Sequence, residues 1–318
     1  MGTRLKFKES ICASYIFHML SVANIGYDNE YGDKYRCYHD LQDLELLKKH
    51  SNFLTSEGGV HCGQLFVLMV GIPATYDTLM EMELYFQSIV ELINSGDIDR
   101  NYPIFRNRFT GEEFEDSEEQ RAFTHELYEM FKGYLHEIKD IAHIMIKNSS
   151  LFQEKIYDET RQIVAQYTKE FSQTMGKYGD LMSNWEKVLS VRYRIPYFNV
   201  ILVEGIDNGA QAIDINQRND VFGMFMNHEQ LVRFISHELG TYLIIENLSE
   251  EIKTNLFDYW NALESLSSCL NMKYITGLED DIGSKEYIEW YNARIEMDAD
   301  INIEQIIRLA RKEIEGFE

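Results

Sequence analysis

The stretch FISHELGTYLI, Phe234 to Ile244, sets a His-Glu pair inside an otherwise apolar run. At about 100° per residue, Leu231, Phe234, Ile235, Tyr242 and Ile245 gather on one helix face. Glu238 falls in the middle of that face, and His237 and Thr241 lie together along one flank. A carboxylate buried without a partner costs several kcal/mol. Glu238 is therefore expected to be protonated, paired with an arginine or lysine, bound to a metal, or open to a cleft. The dipeptide alone means little, because His125-Glu126, His136-Glu137 and His228-Glu229 repeat it elsewhere in the chain.

Around this helix the chain has the composition of a folded, acidic protein. It has 318 residues, 45% of them hydrophobic, and a formal charge of −23. That length supports one large domain or two ordinary ones. The charge disfavours nucleic-acid binding, since the summed field repels phosphates. Only three prolines occur, and no Gly/Ser- or Pro-rich linker appears. Cys12, Cys37, Cys62 and Cys269 form no CxxC pair, so reduced thiols are expected. No apolar run reaches membrane-spanning length. The start MGTRLKFKES is basic, but Ser14, His18 and Ser21 break the apolar stretch after it. The expected compartment is the cytoplasm, or a secreted or periplasmic one if a leader has been removed.

Periodicity orders the rest. Residues 1–150 read as helix after helix, with Gly96 as a C-terminal stop for TYDTLMEMELYFQSIVELINSG. A further helical stretch follows from Leu151. After Pro196 the pattern changes. YFNVILVE reads as a strand, Asp207–Gly209 as a tight turn, AQAIDIN as the returning strand and DVFGMFM as one more. The small sheet is thus placed at about 197–226. The motif helix follows at about 228–247, with Asn227 and Gln230 as a capping box. From Glu250 the chain is helical again. The expected fold class is α+β, predominantly helical, with a helical region 1–150 packed on an α+β region 151–318.

On the next helix, DYWNALESLSSCLNMKY, Leu263, Leu266 and Leu270 build the apolar face and Glu264 lies beside them. With these residues in place, the segment from about Tyr197 to Tyr274 resembles the catalytic half of gluzincin-type zinc metallopeptidases. That family carries His-Glu-x-x-His on its active-site helix and a third zinc ligand, a glutamate, on a later helix. The resemblance implies a zincin-like region 151–318. It makes His237 and Glu264 metal ligands and Glu238 the general base acting on zinc-bound water. Thr241 stands where the second histidine belongs. Two protein ligands are too few for a catalytic zinc, and a threonine hydroxyl is a poor substitute. His228 and Cys269 point elsewhere by helical spacing.

The expectation is a degenerate metallopeptidase-like protein with no zinc, or weakly bound zinc. It would bind a peptide or protein in the former substrate cleft, with no nucleic-acid or membrane partner. One alternative is an active peptidase whose third ligand comes from elsewhere in the chain. Another is an acidic helical interaction protein unrelated to zincins, with Glu238 in a plain ion pair. His136, Asp140 and His143 have metal-ligand spacing, but Ile138, Ile141 and Met145 take the apolar face, so the polar trio is expected to face water. EGGVHCGQ lacks the Lys-Ser/Thr of a P-loop, and neither DNEYGDKY nor GLEDDIGSKE matches a calcium loop.

Overall fold

The computed structural model describes residues 4–27, 29–55, 65–97, 118–206, 210–214, 219–295 and 302–316. The chain is mainly helical with one small sheet, as its period requires. In order, the elements used below are β1 (Leu5–Phe7), α1 (Ile11–Val22), α2 (Glu30–Tyr35), α3 (Leu41–Lys49), α4 (Leu79–Ser95), α5 (Glu118–Phe131), α6 (Leu135–Lys155), α7 (Tyr157–Met175), α8 (Leu181–Leu189), β2 (Phe198–Val203), β3 (Ala210–Asp214), β4 (Asn219–Gly223), α9 (His228–Glu246), α10 (Glu250–Thr254), α11 (Leu256–Leu270), α12 (Lys285–Arg294) and α13 (Ile303–Glu315). Among the described residues no helix is long and apolar enough to cross a membrane.

The elements form two compact units, interleaved in sequence. The first comprises Phe7–Thr168 and Asn199–Met224; the second comprises Met1–Lys6, Lys169–Phe198 and Phe225–Glu318.

In the first unit α1 is the central element. Its sequence, ICASYIFHMLSV, is apolar on nearly every side, and every residue from Cys12 to Val22 is buried. Ser10 caps its start, the hydroxyl accepting from the Ala13 N–H. Helix α4 opens with a full capping box between Thr78 and Glu81 and closes at Gly96 in the left-handed conformation, φ 65°, where glycine has no Cβ penalty.

The sheet has the order β1-β2-β4-β3. β2 and β4 run parallel, with Val200 opposite Asp220 and Leu202 opposite Phe222. β3 runs antiparallel to β4, with Ala210 opposite Phe222. The sheet therefore lies where the sequence places it, but its pairing is different. The strand expected to return on β2 pairs with β4 instead. β4 is buried along its whole length, so it takes a central place between two partners and leaves β3 at the edge. The turn read at Asp207–Gly209 lies outside the described residues.

A buried polar chain crosses the first unit. Asn148 donates through Nδ2 to Asp43 (3.3 Å) and to the Ile144 carbonyl (2.9 Å), so its Oδ1 accepts. His39 Nδ1 donates to that oxygen at 2.9 Å. His39 Nε2 is then bare and accepts from His18 Nε2 at 2.8 Å. His18 Nδ1 in turn accepts from the Tyr31 hydroxyl, also at 2.8 Å. One amide orientation thus sets both imidazole tautomers, and both rings are neutral. Burial pulls the pKa of His18 down, and the nearby His39 lowers it further. Burial also lowers that of His39, against the hydrogen bond to Asn148 and the charge of Asp43.

Above about pH 6.5 both histidines are neutral whether the chain is folded or not. As pH falls below that value the unfolded chain takes up protons that the folded chain refuses. Stability then drops, by up to about 1.4 kcal/mol per pH unit for each histidine. Urea unfolding between pH 7 and pH 5 checks this. His39→Gln should show a shallower slope than the parent, and equal slopes would refute the assignment.

Candidate functional site

The site lies within the second unit, where α8, α9 and α11 pack around a polar seam. The motif residue Asn227 caps α9, its side chain accepting from the Glu229 N–H at 3.0 Å. α9 is buried on most sides. Val232, Ile235, Ser236, His237, Leu239, Gly240, Thr241, Leu243 and Ile244 are all buried, while Phe234, Glu238 and Ile245 are half-buried. Of the five stripe residues, Leu231, Ile235 and Tyr242 are buried, while Phe234 and Ile245 stand with Glu238 on a more open arc. Burial also extends beyond the stripe, where Trp185 of α8 and α11 pack on the helix, which a single-face wheel does not represent. Glu238 lies on the open arc. The deeply buried ionisable group is His237.

Glycine 240 makes the approach of α8 possible. A methyl group there would run into the indole of Trp185 and the hydroxyl of Ser267. Trp185 is fully buried and donates its Nε1–H to the Ser236 carbonyl at 2.8 Å. Tyr193 donates to the Leu239 carbonyl at 2.9 Å. α9 is therefore gripped along its length through its own carbonyls.

His237 sits between two carboxylates. Its Nε2 lies 2.7 Å from Glu264 Oε2 and its Nδ1 lies 3.3 Å from Asp280 Oδ2. The His237 and Asp280 side chains have no exposure at all, and that of Glu264 has 11%. Both ring nitrogens face carboxylate oxygens, so both carry protons and the ring is an imidazolium. Burial alone would lower the His237 pKa. The hydrogen bonds and charges of Asp280 and Glu264 outweigh it and raise it to about 10. Burial would likewise raise that of Asp280. His237, Asn271 and the Ile282 N–H outweigh that and hold it below the usual carboxylate range.

A second layer satisfies what the triad leaves over. Asn271 Nδ2 donates to Asp280 Oδ2 at 2.6 Å, and its Oδ1 accepts from Ser236 at 2.6 Å. Ser268 lies 3.1 Å from Asp280 Oδ1 and 2.6 Å from the Ile282 carbonyl. Ser267 donates to the His237 carbonyl at 2.9 Å.

The sequence-derived residues His237, Glu264 and Thr241 thus come together; Thr241 Oγ1 lies 3.4 Å from His237 Nε2. His228 faces away, beside Phe171 and Thr174, and Cys269 turns toward Asn292. Asp280 is the member that the sequence reading missed. It lies in GLEDDIGSKE, read only as an acidic loop. The signal nearest to it was the run Ser265, Ser267 and Ser268 on a buried helix, three hydroxyls that need partners. In the first unit, Asp140 meets His50 at 3.2 Å and the exposed His136 at 3.7 Å.

The donor set does not fit zinc. On the Nε2 side stand one imidazole nitrogen, one carboxylate and one neutral hydroxyl, while Asp280 holds the opposite nitrogen. Among the described residues no group of three or more His, Cys, Asp or Glu side chains is arranged to hold a metal ion. No family model, curated protein or solved structure matches the chain.

Two outcomes follow. The stability that His237 supplies is complete below its unfolded pKa, near 6.5, and is lost as pH rises through its folded value of about 10. Glu264→Gln keeps the shape and removes one of the two charges, so its alkaline loss should start near the same pH but level off at lower pH and be smaller in total. Thermal melts from pH 7 to pH 10 test this, and identical profiles would show that Glu264 does not hold the imidazolium. Gly240→Ala should cost about 1–3 kcal/mol through overpacking against Trp185. Chemical denaturation at pH 7 measures it, and a neutral result would mean that the α8–α9 contact is looser than described.

Proposed function

We propose that the chain is a metallopeptidase-like protein whose metal site has been replaced by a buried ion pair, and that it binds a peptide or protein without hydrolysing it. The observation that carries this reading is the 2.7 Å contact between His237 Nε2 and Glu264. These are the two surviving positions of the His-Glu-x-x-His and distant-glutamate pattern, and they meet side chain to side chain. Asp280 on Nδ1 supports the same reading, because histidines that ligate metals commonly have a carboxylate on the far nitrogen. In this chain a proton on the imidazole supplies the positive charge between the carboxylates. Glu238, half-buried on the open arc of α9, keeps the place of the general base but has no activated water to act on.

The active-peptidase reading needs a third ligand near Nε2, and the nearest group there is Thr241. The plain ion-pair reading accounts for His237 and Glu264 but leaves the spacing of the motif without a cause.

Calorimetric titration with zinc tests the proposal. The parent should bind weakly. Thr241→His adds a neutral imidazole one turn from His237 and should bind at least about a hundredfold more tightly. At a hundredfold excess of zinc over its Kd it should gain about 2.7 kcal/mol of stability. Thr241→Cys, close to threonine in size, repeats the test where an imidazole is too large. Equal, weak binding by all three proteins would mean that no relict site exists. Stoichiometric zinc with peptide hydrolysis in the parent would favour the active enzyme.

A further inference from the structure

The seam between α9 and α11 runs antiparallel in a defined register. Ser236 meets Asn271, His237 meets Ser268, and Thr241 and Glu264 both approach His237 Nε2. On α11 the residues Phe257, Trp260, Glu264, Ser268 and Asn271 recur at helical spacing and share one face. The inner half of that face is buried against α9. Its outer half is open, with Trp260 43% exposed and Phe257 93% exposed. Continued outward by one turn, the register brings Trp260 level with the half-buried Ile245. Two large aromatic rings therefore extend, in line, from the most exposed member of the site, Glu264, to the surface.

The charge around these rings restricts what covers them. Between Glu246 and Trp260 lie Glu246, Glu250, Glu251 and Asp258; Lys253 pairs with Glu250 at 3.0 Å and Arg308 of α13 with Glu251 at 3.2 Å, so four carboxylates face two cations. Two copies of a chain of charge −23 repel each other, which disfavours self-association through this face. A basic partner is attracted. Elsewhere the chain covers aromatic faces with its own cations: Arg294 lies 4.2 Å from the ring centre of Trp290, and Arg311 lies 4.3 Å from that of Tyr259. Among the described residues no lysine or arginine does so for Phe257 or Trp260.

We propose that the Phe257–Trp260 face of α11, leading outward from Glu264, docks a cationic peptide segment whose arginine or lysine side chains lie over the two rings. The inference rests on the peptide-binding reading above and names the class of peptide. A cation over an exposed ring adds modest affinity, and aromatic anchors carry much of the energy of small interfaces.

The test is calorimetry on the full chain with the capped heptapeptide Arg-Ala-Leu-Arg-Ala-Leu-Arg and with versions carrying Gln or Glu in place of Arg. The arginine peptide should bind, the glutamate peptide should not, and the glutamine peptide should be weaker than the arginine one. Phe257→Ala and Trp260→Ala should each weaken the arginine peptide by about tenfold. Phe257 is almost fully exposed, so its replacement leaves the fold intact. In Phe257→Ala the emission of Trp260 remains as a second readout, since Trp185 and Trp290 are buried. Equal binding of the arginine and glutamine peptides would overturn the cationic class while leaving peptide binding standing. Unchanged affinity in both variants would move the docking surface elsewhere. A dimer that Phe257→Ala dissociates, with no peptide bound, would make a second copy the occupant. The zinc titration is independent of all these outcomes, so failure of one reading does not count against the other.

Discussion

A charged imidazole with no solvent exposure has to be answered by groups held in place, and His237 imposes that condition on the second unit. Its two N–H groups point in opposite directions, so the partners must come from different segments. Glu264 comes from α11 and Asp280 from the loop before α12. Each carboxylate then has oxygens of its own to satisfy, which draws in Asn271, Ser268 and the Ile282 backbone. Apolar packing tolerates a slide of one helix past another at little cost. This network does not, because each bond has a direction. Removing one partner from a buried pair leaves the other charge stranded, typically at 3–5 kcal/mol. The network thus fixes the register of α9 on α11, and the leucines beside it fill the space that register leaves.

Two other buried histidines, His18 and His39, are handled in the opposite way. His18 and His39 have no carboxylate in contact and stay neutral, each serving as donor on one side and acceptor on the other. The same side chain is therefore a fixed cation in one unit and a fixed dipole in the other. The surrounding groups decide which: two carboxylates around one ring, an amide and a phenol at the ends of the other pair.

Much of the architecture is legible in the sequence because it rests on local signals. The helix period, Asn227 before α9, Gly96 after α4 and the β-branched run at 198–203 are each read within a few residues. The pairing of the strands is not local. It depends on which strand is buried on both faces, and β4 shows that only once it is packed. The wheel of α9 places Leu231, Ile235 and Tyr242 in the core correctly but falls short elsewhere for a related reason. It counts apolar residues on one helix and is blind to Trp185 arriving over Gly240 from another. Within the site, His237, Thr241 and Glu264 were found because a known pattern spaces them. Asp280 has no such spacing, and only the three buried serines of α11 hinted that acceptors were needed nearby.

The interleaving of the two units bears on how the chain is made. The larger unit needs Asn199–Met224 before its sheet has a β4, and those residues emerge after Lys169–Phe198, which belong to the other unit. The opening segment through Lys6 waits for partners that follow it by more than a hundred residues, such as Glu186, which Arg4 meets at 2.9 Å. A ribosome therefore cannot release one finished unit and then begin the next. By the same logic, no single continuous stretch of the gene encodes either unit alone, so neither can pass to another protein by one cut and one insertion.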